Sequence, residues 1–172
     1  NYLATGQPGN ARRALEALRA RFLDQGHSRF LPNIDAALCR VALHTGDLDS
    51  ADTWYREKAP RDPMHLNVMK RYQYLTQAQV ELADGTPEAA LLTLAPLGPY
   101  CESCCRYIDG IHVDVLTALA LYRMRREGWQ EKLTGAMTTA AEFGFIRSLS
   151  VYGAAILPLL AELPWTGNDR WY

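Results

Sequence analysis

The sequence predicts an all-α chain, a right-handed α-α superhelix of about eight helices stacked as helix-turn-helix repeats. Two observations predict it. A glycine followed five positions later by a small or apolar residue occurs four times, as Gly6/Ala11, Gly46/Ala51, Gly85/Ala90 and Gly128/Leu133, and the glycines lie 40, 39 and 43 residues apart. A near-constant period of this size is that of a helical solenoid. Leucine stands three residues before the first three glycines, at Leu3, Leu43 and Leu82. Each glycine supplies the left-handed backbone that closes one helix, and the small residue after it lets the next helix pack closely. Neither helix of a pair buries its apolar stripe alone, so the pairs stack and leave a broad concave face suited to binding.

Composition fits this class. The 172 residues are 48% hydrophobic and 22% charged, enough for one sizeable core. Eighteen basic against nineteen acidic residues give a net charge of -1, so the chain lacks the positive field of a domain that grips nucleic acid. Basic residues do cluster locally, at Arg12, Arg13, Arg19 and Arg21 and again at Arg123, Arg125 and Arg126. The second cluster falls at a helix end, where cations favour the negative end of the dipole. No secretory leader opens the chain and no apolar run approaches the ~20 residues of a membrane span. The expectation is a soluble, cytoplasmic domain without membrane contact. Leu3 and Gly6 match the end of a repeat whose leading helix is missing, which predicts a single domain, residues 1–172, cut from a longer protein.

The elements follow in order. Residues 1–30 close a preceding repeat: from Asn10 to Gln25, Ala11, Leu15, Leu18 and Phe22 recur at spacings of three and four, one buried helical face that Gly26 ends. Residues 31–59 form the first complete pair, a helix from Pro32 to His44, the turn Thr45-Gly46-Asp47, and a helix from Ser50 to Lys58 carrying Trp54 and Tyr55. The second pair, 65–97, has a long helix from about His65 to Ala83 and a partner capped by Thr86 with Pro87 in its first turn. Leu97-Gly98-Pro99-Tyr100 reads as a break. In the third pair, 105–143, a helix from about Arg106 to Arg126 precedes one from Trp129 to Phe143. A terminal helix, 146–163, is apolar nearly all round, with a kink at Pro158, and needs a cover. That marks it as an interdomain or self-association surface. Trp54, Trp129, Tyr55, Met124 and Met137 sit at the spacings of inter-helix packing.

Enzyme signatures are missing: there is no Gly-x-Ser-x-Gly, His-Glu-x-x-His, phosphate loop or Gly-x-Gly-x-x-Gly. No catalytic residue is expected. Cys101-Glu102-Ser103-Cys104-Cys105 holds one Cys-x-x-Cys, a spacing that can grip zinc or cycle as a dithiol, with His112 as a possible fourth ligand. No second Cys-x-x-Cys accompanies it and Cys39 fits a small apolar slot, so these read as incidental thiols; no metal and no cofactor is expected.

The run Met69 to Leu94, MKRYQYLTQAQVELADGTPEAALLTL, resembles the tetratricopeptide-like region of LuxR-family regulators of the MalT type. The likeness rests on Tyr74-Leu75-Thr76, then Val80, Leu82, Ala83, Gly85, Pro87, Glu88 and Ala89. Farther on, Ala140 to Leu160 resembles the close of that region, with Gly144-Phe145-Ile146-Arg147, Gly153 and Leu157-Pro158-Leu159-Leu160. Arg71 and Gln79 stand where the family usually has an acidic residue and an arginine. The resemblance implies the superhelical middle of a one-component transcriptional regulator, whose nucleotide-binding module and DNA-binding helix-turn-helix lie outside this chain. It implies an inducer-sensing role by population shift. Placing each pair on the tetratricopeptide register by its glycine gives Arg40, His44, Arg71, Tyr72, Gln79, Tyr122 and Arg126 as ligand-facing residues on the concave side. The occupant is a small-molecule inducer or a protein partner. A plain protein-protein scaffold without a small ligand is the alternative, since tetratricopeptide grooves commonly take peptides.

Overall fold

The computed structural model describes residues 2–62 and 66–164. Among these it contains α-helices, short 3-10 turns and no strand. The chain divides into two compact units, residues 1–85 and 86–172.

The first unit contains α1 (Pro8–Asp24), α2 (Leu31–Thr45), α3 (Leu48–Lys58) and α4 (Arg71–Ala83). Its organising helix is α2, which packs on α1, α3 and α4. Ala36, Cys39, Ala51, Trp54 and Val80 form one buried cluster drawn from α2, α3 and α4. The small residues decide this spacing: Ala36 and Ala51 are almost wholly buried, so the backbones that carry them approach closely. Burial also pushes the Cys39 thiol up to about 12, which keeps it protonated and inert.

The glycines at the first two corners close their turns in the same way. Gly6 and Gly46 have φ of 69° and 74°, and at both the glycine N–H donates to the carbonyl of the preceding leucine, Leu3 or Leu43, at 3.1 and 3.2 Å. The next N–H reaches one residue further back, Gln7 to Tyr2 and Asp47 to Ala42. This double bond pattern satisfies the last carbonyls of a helix and needs a left-handed residue at its turn. Asp47 then caps α3 by accepting from the Ser50 N–H at 3.1 Å.

Charged side chains tie the first unit together. Asp35 of α2, its side chain mostly buried, accepts from Arg19 of α1 at 2.7 Å and faces Lys58 of α3 at 3.2 Å. Arg12 reaches Asp47 at 3.2 Å. Arg61, beyond α3, donates to the carbonyls of Tyr55 and Arg56 at 3.0 and 2.9 Å. The long helix expected from His65 starts later, at Arg71. Asn67 caps the turn that leads into it: its side chain accepts from the N–H groups of Met69 and Lys70. His65 itself lies outside the described residues.

The second unit contains α5 (Pro87–Leu94), α6 (Leu97–Ser103), α7 (Tyr107–Arg123), α8 (Trp129–Phe143), α9 (Ile146–Ser150) and α10 (Leu157–Glu162). Its organising helix is α7, packed on α5, α6, α8 and α9. Two expectations are corrected here. Leu97-Gly98-Pro99-Tyr100 is not a break but the first turn of α6, because a proline in the first turn loses no intrahelical bond and Leu97 with Cys101, one turn on, are both buried. The terminal helix is not continuous: Gly153 takes φ of 49° within a 3-10 turn between α9 and α10. Pro158 therefore sits in the first turn of α10 rather than at a kink. These two splits raise the count above the eight helices expected, leaving ten α-helices among the described residues.

Gly128 also behaves differently from its counterparts. The helix before it ends early, at Arg123, and the left-handed corner falls on Arg125, φ 53°. Arg125 N–H donates to the Tyr122 carbonyl and Arg126 N–H to that of Leu121, at 3.0 and 2.9 Å. Gly128, φ 91°, is the N-cap of α8. The three extra residues in the last interval hold a second, non-glycine corner.

Candidate functional site

Each unit holds its own share of the expected ligand-facing residues. In the first, Arg40 and Tyr72 meet: the guanidinium lies 3.9 Å from the Tyr72 ring centroid, a cation–π contact. Arg40 also donates through Nε to the Thr76 hydroxyl at 2.7 Å and through a terminal nitrogen to the Tyr72 carbonyl at 3.4 Å. Thr76 passes its own hydrogen to that same carbonyl at 2.9 Å. This cluster joins α2 to α4. His44 is exposed at the end of α2, while Arg71 and Gln79 are half-buried on α4. Arg71 donates to the Val68 carbonyl, one turn back.

Sequence reading missed the polar character of α4. Gln73, Thr76, Gln77 and Glu81 are all buried. Gln73 donates to Asn33 of α2 at 2.9 Å, and Glu81 accepts from Gln77 at 2.9 Å and from the Tyr55 hydroxyl of α3 at 3.1 Å. Burial and the nearby Glu81 carboxylate push the Tyr55 phenol above its ordinary value. The available signal was the spacing of four between Gln73, Gln77 and Glu81, which puts three polar side chains on one stripe of a helix.

In the second unit, Tyr122 and Arg126 come together at the corner between α7 and α8. They line a recess of about 600 Å3 with Arg123, Arg125, Glu127, Trp129, Gln130 and, from α10, Glu162. Trp129, nearly buried, meets Tyr122 edge to face at 5.2 Å between centroids. Tyr122 donates to the Glu162 carboxylate at 2.6 Å, and that bond raises the Tyr122 pKa. Ring faces, guanidinium groups and carboxylates thus surround one concave space.

The corner glycines, their buried partners and this recess all fall within the span of one family description. The model named MalT-like TPR region matches residues 2–164. This chain belongs to the MalT-like TPR family. No curated protein and no solved structure matches it.

The remaining features of this MalT-like TPR region are quickly placed. Cys101 is buried on α6, Cys104 and Cys105 are exposed, and none of the three is in a disulfide. The Nδ1 of His112 lies 2.8 Å from the Tyr152 hydroxyl. Among the described residues no His, Cys, Asp and Glu group is arranged to hold a metal ion. None of the helices described is long and apolar enough to cross a membrane. Near the end of the second unit Leu133, Met137, Leu149, Ile156, Leu157 and Leu160 contribute to an apolar groove of about 450 Å3. Ile146, Val151 and Leu157 remain more than half exposed.

Proposed function

We propose that this MalT-like TPR region senses a small inducer and relays its binding to neighbouring domains of a LuxR-family, MalT-type transcriptional regulator. The observation that carries this reading is the recess at the α7–α8 corner, which combines Tyr122, Trp129 and Arg126 around a volume suited to a metabolite. Tyr122 and Arg126 contact the inducer there. Arg40, His44, Arg71, Tyr72 and Gln79 serve the first unit as its own ligand-facing set, with the Arg40–Tyr72 contact holding two of them in place.

Linkage supplies the mechanism. Glu162 of α10 reaches the recess through its bond with Tyr122, so an inducer that replaces this bond changes how α10 is held. A ligand with different affinity for the two arrangements shifts their populations, and the attached domains respond. DNA is contacted by a domain outside this chain, the protein works in the cytoplasm, and the region itself performs no catalysis. The exposed apolar residues of α9 and α10 form the interdomain or self-association surface.

A second reading, a docking scaffold for a polypeptide, is favoured by the apolar groove over α8, α9 and α10. Thermal-shift screening of the purified protein against neutral saccharides, amino acids, nucleotides and organic acids separates the two. Sensing predicts a saturable rise in melting temperature that Tyr122→Ala abolishes while the unliganded protein stays folded. No response to any metabolite, together with recovery of a stoichiometric polypeptide partner, would leave the scaffold.

A further inference from the structure

We infer that the recess at the α7–α8 corner takes an anionic ligand, its carboxylate or phosphate held by Arg125 and Arg126 and its remaining body packed against Tyr122 and Trp129. This rests on the sensing reading and names the ligand class for that site.

The two basic clusters of the chain differ in what they face. In the first unit Arg12 pairs with Asp47, Arg19 with Asp35, and Arg13 donates to Asn10. Carboxylates thus neutralise Arg12 and Arg19, whereas Arg13 meets a neutral amide and Arg21 makes no ion pair among the described residues. At the α7–α8 corner Arg125 and Arg126 have no ion-pair partner among the described residues, and both are exposed to the recess. Of the two carboxylates that line it, Glu162 accepts from Tyr122. The helix-end explanation covers Arg123 in the last turn of α7, but Arg125 and Arg126 lie beyond that turn, and the positive end of α8 begins three residues after Arg126. A helix dipole acts within its own end turns, so it does not account for them.

Arg125 adds a conformational argument. It holds φ of 53°, a region costly for a side chain with a Cβ that Cys105 also adopts, whereas Gly6, Gly26, Gly46, Gly85 and Gly144 take the left-handed region at their corners. Glycine would fit this corner without strain, yet the position carries a guanidinium on the wall of a recess. Guanidinium groups bind carboxylate and phosphate by paired, charge-assisted hydrogen bonds, and the two rings offer apolar faces to the rest of the ligand.

The experiment uses calorimetric titration and Trp fluorescence on the purified protein, with inorganic phosphate, citrate, succinate and glucose 6-phosphate as anionic probes and glucose as the neutral control. Saturable binding of at least one anion is expected, at a level that equal ionic strength of sodium chloride does not reproduce. Arg125→Gly keeps the corner conformation, and Arg126→Gln keeps the size of the side chain; the pair should weaken binding at least ten-fold. Arg12→Gln with Arg13→Gln, the same charge change in the first unit, should leave it unaltered. Preference for phosphate over the carboxylates, or the reverse, separates the two sources of negative charge. The inference is overturned if no anion saturates, or if the Arg125→Gly/Arg126→Gln protein binds as well as the parent. Saturable, Tyr122-dependent binding of a neutral molecule alone would sink the anion assignment and leave the sensing role standing, whereas silence from all ligands would remove both.

Discussion

Arg40 and Tyr122 each stand six residues before a glycine of the repeat, one in each unit, but the first unit turns its corner at Gly46 and the second at Arg125. Their fates differ. Arg40 is spent on its neighbours: ring, hydroxyl and carbonyl of α4 surround the guanidinium. The Tyr122 side chain makes one hydrogen bond, to Glu162, meets Trp129 edge to face, and otherwise stands at the wall of an open recess. What differs is the next element. In the first unit α4 presents Tyr72 and Thr76 to α2, while in the second the chain turns at Arg125 and leaves a gap before α10. The glycine spacing therefore leaves the exact corner open, and the element that follows decides whether a side chain is packed in or left facing space.

The strongest way to break the comparison is through the residue five places after the glycine. Leu133 is fully buried in the second unit and Ala51 nearly so in the first. Leu133→Ala should cost about 2–5 kcal/mol through the cavity it leaves, and Ala51→Leu about 1–3 kcal/mol through overpacking, both read by urea unfolding. If either substitution left the midpoint unchanged, that corner would not be the close-packed point the shared register requires.

Arg40→Ala should come next, at about 1–3 kcal/mol, from the lost cation–π contact and two hydrogen bonds. Tyr122→Phe, which removes only the bond to Glu162, should cost about 0.5–1.5 kcal/mol. Equal losses in chemical denaturation would mean that Tyr122 is as deeply built into its unit as Arg40.

The corners themselves give a smaller, opposite pair. Gly46→Ala should lose about 1 kcal/mol, since alanine resists the left-handed region. Arg125→Gly should stay within about 0.5 kcal/mol of the parent, because relief of strain is offset by a more flexible unfolded chain. A large loss at Arg125→Gly, measured by thermal melting, would show that its side chain stabilises the fold.

The finest test is pH. The cap to Ser50 and the nearby Arg12 hold the Asp47 carboxyl below its ordinary value, so its stabilisation is present above the unfolded carboxylate range and is lost as pH falls through the folded value. Burial raises the Asp114 carboxyl, with Lys132 at 3.1 Å opposing the shift. That group binds its proton more readily when folded, so its contribution favours acid and fades as pH rises from the unfolded value past the folded one. Asp47→Asn should flatten the acid limb of the stability profile and Asp114→Asn should steepen it. The reverse order would contradict the assigned environments.

Much of the fold was legible because glycine and proline act locally. Gly46, Pro87 and Gly144 mark ends and starts that depend on backbone conformation alone, and α8 runs over the span its periodicity predicts, Trp129 to Phe143. Where reading failed, a neighbour intervened. Burial of Leu97 and Cys101 drew a glycine-proline stretch into helix, and Gly153 interrupted an apolar run that looked continuous. Register placed Arg40 and Tyr72 on facing helices, but Arg126, expected on the helix that carries Tyr122, lies beyond the end of α7, and the contacts of Thr76, Trp129 and Glu162 depend on long-range packing.

By itself the sequence determined an all-helical repeat with its corners at fixed intervals, because left-handed glycines and small residues at the next helix start are demands of the backbone. Only the tertiary structure decided that Arg40 is enclosed while Arg125 and Arg126 are left facing space, because ion pairing and burial depend on which distant side chains arrive alongside.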